Sequence, residues 1–202
     1  MAVQLGITVA FVIAMMAMPK ESFTIFTNPV FIVLLLVTYF ASFCALVCCN
    51  LHRKVPINYI LLGVFTVCVS LIVGVTCAET EPKIVLEAAT LTFAVVIGLT
   101  VYAMTTKTDF TFCGPLLYIF GTVFATAGIM AFLFGVDMGL GYSIIGVILF
   151  SFYLIYDTQL IIGGKHKKYQ FDKDDYILGA LALYLDIINL FLYILEILSS
   201  RS

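Results

Sequence analysis

Charge is what this sequence has least of. Only 11% of its 202 residues are Asp, Glu, Lys or Arg, against 63% hydrophobic, and its mean hydropathy is +1.16. A soluble domain of this length needs far more polar residues to cover its surface, so the composition excludes a water-soluble globular protein. A charge imbalance is missing as well: the net charge of -2 implies neither nucleic acid nor a strongly charged substrate. Histidine is scarce. His52 and His166 stand alone in connectors, read as solvated loop residues, and neither joins cysteines at zinc-ligand spacing. No G-x-S-x-G elbow and no phosphate-loop spacing occur, and nothing calls for a cofactor. The six cysteines lie in or beside apolar runs, where a thiol acts as a small hydrophobe rather than as part of a disulfide framework. The start lacks a basic n-region, and its apolar run ends without a small-residue cleavage site, so it reads as a retained helix and not a signal peptide.

What the chain has instead is long hydrophobic runs. A bilayer core about 30 Å thick needs roughly 20 helical residues. That template finds seven spans: Met1 to Met18, Pro29 to Asn50, Ile57 to Cys77, Ile84 to Met104, Phe112 to Gly135, Gly139 to Ile162 and Tyr176 to Leu198. The expected fold is an all-α integral membrane protein, one seven-helix domain over residues 1–202. Pro19, Pro29, Pro56 and Pro82 fall at or beside segment ends, where a missing N–H is harmless. Connectors two, four and six carry Arg53, Lys54, Lys107, Lys165, Lys167, Lys168 and Lys173, while the other side carries Lys20, Lys83 and Arg201. The basic excess marks the cytoplasmic side, so the N-terminus is expected in the cytoplasm. Gly163 and Gly164 read as a helix stop, and Asp172, Asp174 and Asp175 as the acidic entry to the last span.

Two acidic residues interrupt the apolar runs: Asp157 in Tyr156-Asp157-Thr158-Gln159, and Asp186 in Tyr184-Leu185-Asp186-Ile187-Ile188-Asn189. A carboxylate at a helix centre costs on the order of 3 kcal/mol on the insertion scale, so each needs a partner. On the last span Gly179, Ala182, Asp186, Asn189, Tyr193 and Glu196 share one stripe. On the sixth, Gly146, Tyr153 and Asp157 share a face, with Gly146 able to admit a neighbouring helix closely. Counted inward from their common connector, the two Asp lie roughly 7 and 15 Å deep. Two carboxyls in one low-dielectric site cannot easily both ionise, so the pair can hold a proton near neutral pH and act as a pH sensor. Fully ionised, it offers hard oxygen ligands that with Asn189 suit Ca²⁺. The plainer alternative is that each Asp only fastens helices together through hydrogen bonds. Arg53 and Lys54 could latch Asp157 or simply anchor the chain on the positive side. Glu87, one turn inside the fourth span, could help an ion enter or merely complement a helix N-terminus.

The run Phe152-Tyr153-Leu154-Ile155-Tyr156-Asp157-Thr158-Gln159 resembles the transmembrane Bax-inhibitor-motif family, in particular its lifeguard-like branch. The Gly-Gly-Lys-His that follows it, Tyr176 to Leu181, Leu183 to Phe191 and Lys107-Thr108-Asp109-Phe110-Thr111 carry the same likeness. The resemblance implies a bundle with the C-terminal helix at its centre and a Ca²⁺ leak pathway gated by an Asp pair, which by motif position is Asp157 and Asp186. A basic latch on the second helix would map to Arg53, or to His52 or Lys54. It also implies a location in an endoplasmic reticulum, Golgi, plasma or bacterial membrane and, for eukaryotic members, suppression of apoptosis through membrane partners. The chain departs from the pattern at its N-terminus, where relatives carry a cytosolic segment before the first helix. The leading expectation is a pH-sensitive Ca²⁺ leak channel; the alternatives are a proton-coupled cation exchanger and a non-conducting anti-apoptotic adaptor. An intramembrane aspartyl protease also uses two Asp, but Asp186 follows Leu183-Tyr184-Leu185 rather than Gly-x-Gly, so no enzyme is expected.

Overall fold

A computed structural model describes residues 1–19, 25–26, 28–163 and 168–201. Lys20, Gly164, Lys165, His166 and Lys167 lie outside them. Among the described residues there are seven α-helices and no strand: α1 Ala2–Met16, α2 Pro29–Val47, α3 Ile57–Ala78, α4 Pro82–Thr105, α5 Gly114–Phe134, α6 Gly139–Ile162 and α7 Tyr176–Ser199. Short 3₁₀ turns cover Leu51–Arg53, Thr111–Cys113 and Lys173–Asp175. Helices α2 to α7 are long and apolar enough to cross a membrane, whereas α1, at 15 residues, is shorter. Exposed apolar side chains such as Val30, Phe93, Tyr118 and Phe134 cover the outer faces. Water would not tolerate them and hydrocarbon does, so this is a multi-pass membrane protein.

Local chemistry sets the helix ends. The Asn28 side chain accepts from the Val30 N–H at 2.9 Å, and Pro29 occupies the first turn, where its missing donor costs nothing. Helix α6 stops at Gly163, whose φ of 62° and ψ of -154° suit only glycine, while its N–H still reaches the Gln159 carbonyl at 2.9 Å.

The chain forms two compact units, Met1–Val85 with Lys173–Tyr184, and Leu86–Asp172 with Leu185–Ser202. Helix α7 therefore contributes its first turns to one core and the remainder to the other. In the first unit a buried polar ladder joins three helices. Gln4 Nε2 donates to Thr66 Oγ1 at 3.2 Å, and the Thr8 hydroxyl lies 2.9 Å from that of Ser70 and 2.8 Å from that of Tyr184. The four-residue spacing of Gln4 and Thr8, and of Thr66 and Ser70, puts each pair on one helix face.

In the second unit the core is aromatic. The rings of Tyr142 and Phe124 stack at 4.0 Å, and Tyr193 meets both edge-on at 5.9 and 5.6 Å. Tyrosines of α6 also pin α5 through its backbone: Tyr153 donates to the Leu117 carbonyl at 2.7 Å, and Tyr142 to that of Phe124 at 3.0 Å. Gly146 admits the Tyr193 ring against the α6 backbone, as its sequence context leads one to expect. A Cβ at that position would lie 2.7 to 2.9 Å from three ring carbons. Gly146→Ala is therefore expected to destabilise the protein by about 1–3 kcal/mol, because a rigid ring held on two sides cannot give way. Gly74→Ala meets only the flexible Met15 side chain and is expected to cost under about 1 kcal/mol. Unfolding midpoints in detergent compare the two, and equal losses would show that the aromatic core relaxes freely.

Candidate functional site

The structure brings Asp157 of α6 and Asp186 of α7 together. Both are buried, at 8% and 3% exposure, and the two carboxyls are close enough to interact directly. Asp186 Oδ2 is fully buried and has no hydrogen-bond partner among the described residues. An unpaired buried oxygen costs about 1–3 kcal/mol unless a proton, a water or a cation satisfies it. No third His, Cys, Asp or Glu joins a metal-holding group among the described residues. The two carboxyls alone fall short of the six to eight oxygens that a Ca²⁺ ion takes.

The other expected site residues do not gather around this pair in the same way. Asn189 is half-buried, and its amide nitrogen turns back to the Leu185 carbonyl at 2.8 Å. Glu87 sits on an exposed face of α4. Arg53 forms a bidentate pair with Asp175, its Nε 2.9 Å from Oδ1 and its terminal nitrogen 3.0 Å from Oδ2.

His52 corrects the expectation of a solvated loop residue: it is 3% exposed. The cause is local. Asn50 adopts a left-handed φ of 52°, which folds the Leu51–Arg53 turn back over the end of α2. The ring then caps a carbonyl that the helix end leaves open, with Nδ1 2.8 Å from Leu46 O, and its Nε2 lies 3.3 Å from Asp175 Oδ1. Asn58 completes the clasp, donating to the His52 carbonyl and to the Tyr176 hydroxyl, each at 3.0 Å. Asp175 immediately precedes α7, at the positive end of that helix. Three separate groups thus stabilise one carboxylate where α7 begins.

Asp175→Ala is expected to lower stability by about 1–3 kcal/mol, since it leaves His52 and Arg53 without their acceptor. Arg53→Gln is expected to cost under about 1 kcal/mol, because that side chain is 49% exposed. A double-mutant cycle in chemical unfolding checks the clasp; zero coupling between the two sites would contradict it.

A second set of buried polar groups lies in runs that the sequence marks only by their family likeness, without assigning them a role. Gln159, 1% exposed, accepts from the Phe110 N–H at 2.8 Å and donates to the carbonyls of Ala103 at 3.3 Å and Thr108 at 3.1 Å. Beside it, Asp109 accepts from the N–H and hydroxyl of Thr111 at 2.9 and 2.7 Å and from the Lys168 N–H at 3.0 Å. The Lys107 to Thr111 motif thus ties two connectors together, two residues along α6 from Asp157. The available signal was Gln159 itself, an uncharged polar side chain in an apolar run.

Over residues 1–202 the chain matches the family model described as "Inhibitor of apoptosis-promoting Bax1". It is 46% identical over 152 residues to Protein LIFEGUARD 4 of Arabidopsis thaliana, covering 72% of this chain and 59% of that protein. Protein LIFEGUARD 3 of the same plant is 42% identical over 152 residues, covering 73% and 59%. Protein lifeguard 3 of Homo sapiens is 32% identical over 206 residues, covering 99% of this chain and 66% of that protein. The chain thus spans 59% of the length of the two plant relatives.

Proposed function

This chain belongs to the family of inhibitors of apoptosis-promoting Bax1, and from that premise we propose that it conducts Ca²⁺ down its gradient through the membrane under control of the Asp157–Asp186 pair. The observation that carries the reading is the meeting of two buried carboxyls, one of them with an unpartnered oxygen. With a single proton between them, the carboxyls hold α6 and α7 together by a charge-assisted hydrogen bond. A second proton removes the charge, weakens that bond and lets α7 shift, so flux is expected to rise as pH falls. Ca²⁺ is the cargo. In the open state the neutral carboxyls still offer it their carbonyl oxygens, with Asn189 and Glu87 further along the path.

Arg53 acts in this account at the start of α7. Its pairing with Asp175 restrains the helix that bears Asp186. The positive-inside count supports a cytoplasmic N-terminus, and the family resemblance points to an endoplasmic reticulum, Golgi or plasma membrane. The family description supports a role in restraining cell death through membrane partners. A non-conducting adaptor would serve that role without ion flow, and a proton-coupled exchanger would use the same carboxyls.

Ca²⁺ uptake into liposomes holding the purified protein, scanned from about pH 5 to about pH 8, tests the reading. Uptake that rises toward acid pH without stoichiometric proton counterflow is expected. Proton counterflow that tracks Ca²⁺ would favour the exchanger, and no uptake by folded protein at any pH would leave the adaptor.

A further inference from the structure

At the connector end of the second unit a cleft of about 670 Å³ opens between the start of α5 and the α6–α7 connector. The residues that line it include Lys168 and three tyrosines, Tyr118, Tyr156 and Tyr169, whose polar groups can donate; the Thr111 hydroxyl is already given to Asp109. Gly114 places the N-terminal, positive end of α5 at the same wall. No carboxylate is among the described residues that line it. The nearest acid described, Asp109, already accepts from the Thr111 N–H and hydroxyl and the Lys168 N–H. The Lys168 ammonium forms no ion pair among the described residues and lies 5.3 Å from the centre of the Tyr169 ring. A site with a cation, several donors and no acid is complementary to an anion.

The position in the bilayer says which anion. Tyr156 lies six residues before the end of α6, so the cleft runs from the connectors about 9 Å into the span, through the headgroup layer to the edge of the hydrocarbon. It opens sideways, because Phe112, Tyr118 and Ile119 line it and are also 60%, 73% and 59% exposed. Below it the outer face of α5 continues apolar through Phe120 and Val123. A soluble anion needs no such apolar approach; a lipid has chains to lay along it.

We propose that this cleft binds the phosphate of an anionic glycerophospholipid, with Lys168 and Tyr156 as its principal donors and the acyl chains on the outer face of α5. The assignment does not depend on conduction, and its test reads lipid directly. Purified protein in detergent is loaded with phosphatidylglycerol, phosphatidylcholine or inorganic phosphate, and lipid retention is measured by native mass spectrometry beside the thermal midpoint. Retention of phosphatidylglycerol over phosphatidylcholine is expected. Lys168→Gln should reduce it about fivefold, the effect of one basic residue at an anionic headgroup, while Lys107→Gln, an exposed lysine on the same side, should leave it unchanged. Tyr156→Phe should lower retention without lowering the thermal midpoint of lipid-free protein. Equal retention of both lipids, equal loss in the two lysine variants, or full stabilisation by inorganic phosphate alone would overturn the proposal.

Discussion

Replacing Gln159 with leucine is expected to lower the unfolding free energy by about 2–4 kcal/mol. The two side chains are close in volume, so little packing is lost; the loss is in hydrogen bonds. Gln159 satisfies one backbone N–H and two backbone carbonyls around residues 103–110, and it does so at 1% exposure. Leucine strands all three, and the Ala103 carbonyl lies in a buried position. Gln159→Glu separates this cause from packing: it keeps an acceptor for the Phe110 N–H but turns a second oxygen toward the two carbonyls. It should be at least as harmful as leucine. Chemical unfolding in detergent measures both, and a loss below about 1 kcal/mol for either would show that the connector does not rely on this side chain.

The architecture was legible because hydrocarbon imposes a simple length rule. The boundaries of Gly139–Ile162 agree with the apolar run, and those of the other long spans differ from theirs by only a few residues. The Asp pair was legible for the same reason: two charges in 63% hydrophobic sequence stand out. What was hidden is neutral and polar. Gln4, Thr8, Thr66 and Ser70 carry no charge, and threonine or serine in an apolar helix commonly bonds its own backbone, so the ladder shows only once α1 and α3 are seen to pack. His52 was misread because connector residues are usually solvated. The left-handed turn at Asn50 that buries it has no strong signature in one sequence. Arg53 was expected to latch Asp157 or to anchor the chain on the positive side; the structure pairs it with Asp175, an acid that its sequence position did not single out.

Asp186→Asn is expected to abolish most of the pH response of Ca²⁺ flux. Asparagine cannot ionise or give up a proton, so the pair no longer passes between its singly and doubly protonated forms, and the step that controls α7 is lost. The same logic gives Asp157→Asn a similar effect. The double variant should add little, because the two act as one titrating unit. A gate controlled by one proton changes flux by up to about tenfold per pH unit across its titration. Neither variant should unfold the protein, since removing a buried charge relieves desolvation.

The decisive measurement is Ca²⁺ flux through Asp186→Asn liposomes at about pH 7.5 and about pH 5.5, beside wild type. The account predicts a wild-type flux several-fold higher at the acid pH, and a variant flux that is equal at both. A variant that retains the full wild-type pH response would contradict it, and would move the gate away from the Asp157–Asp186 pair.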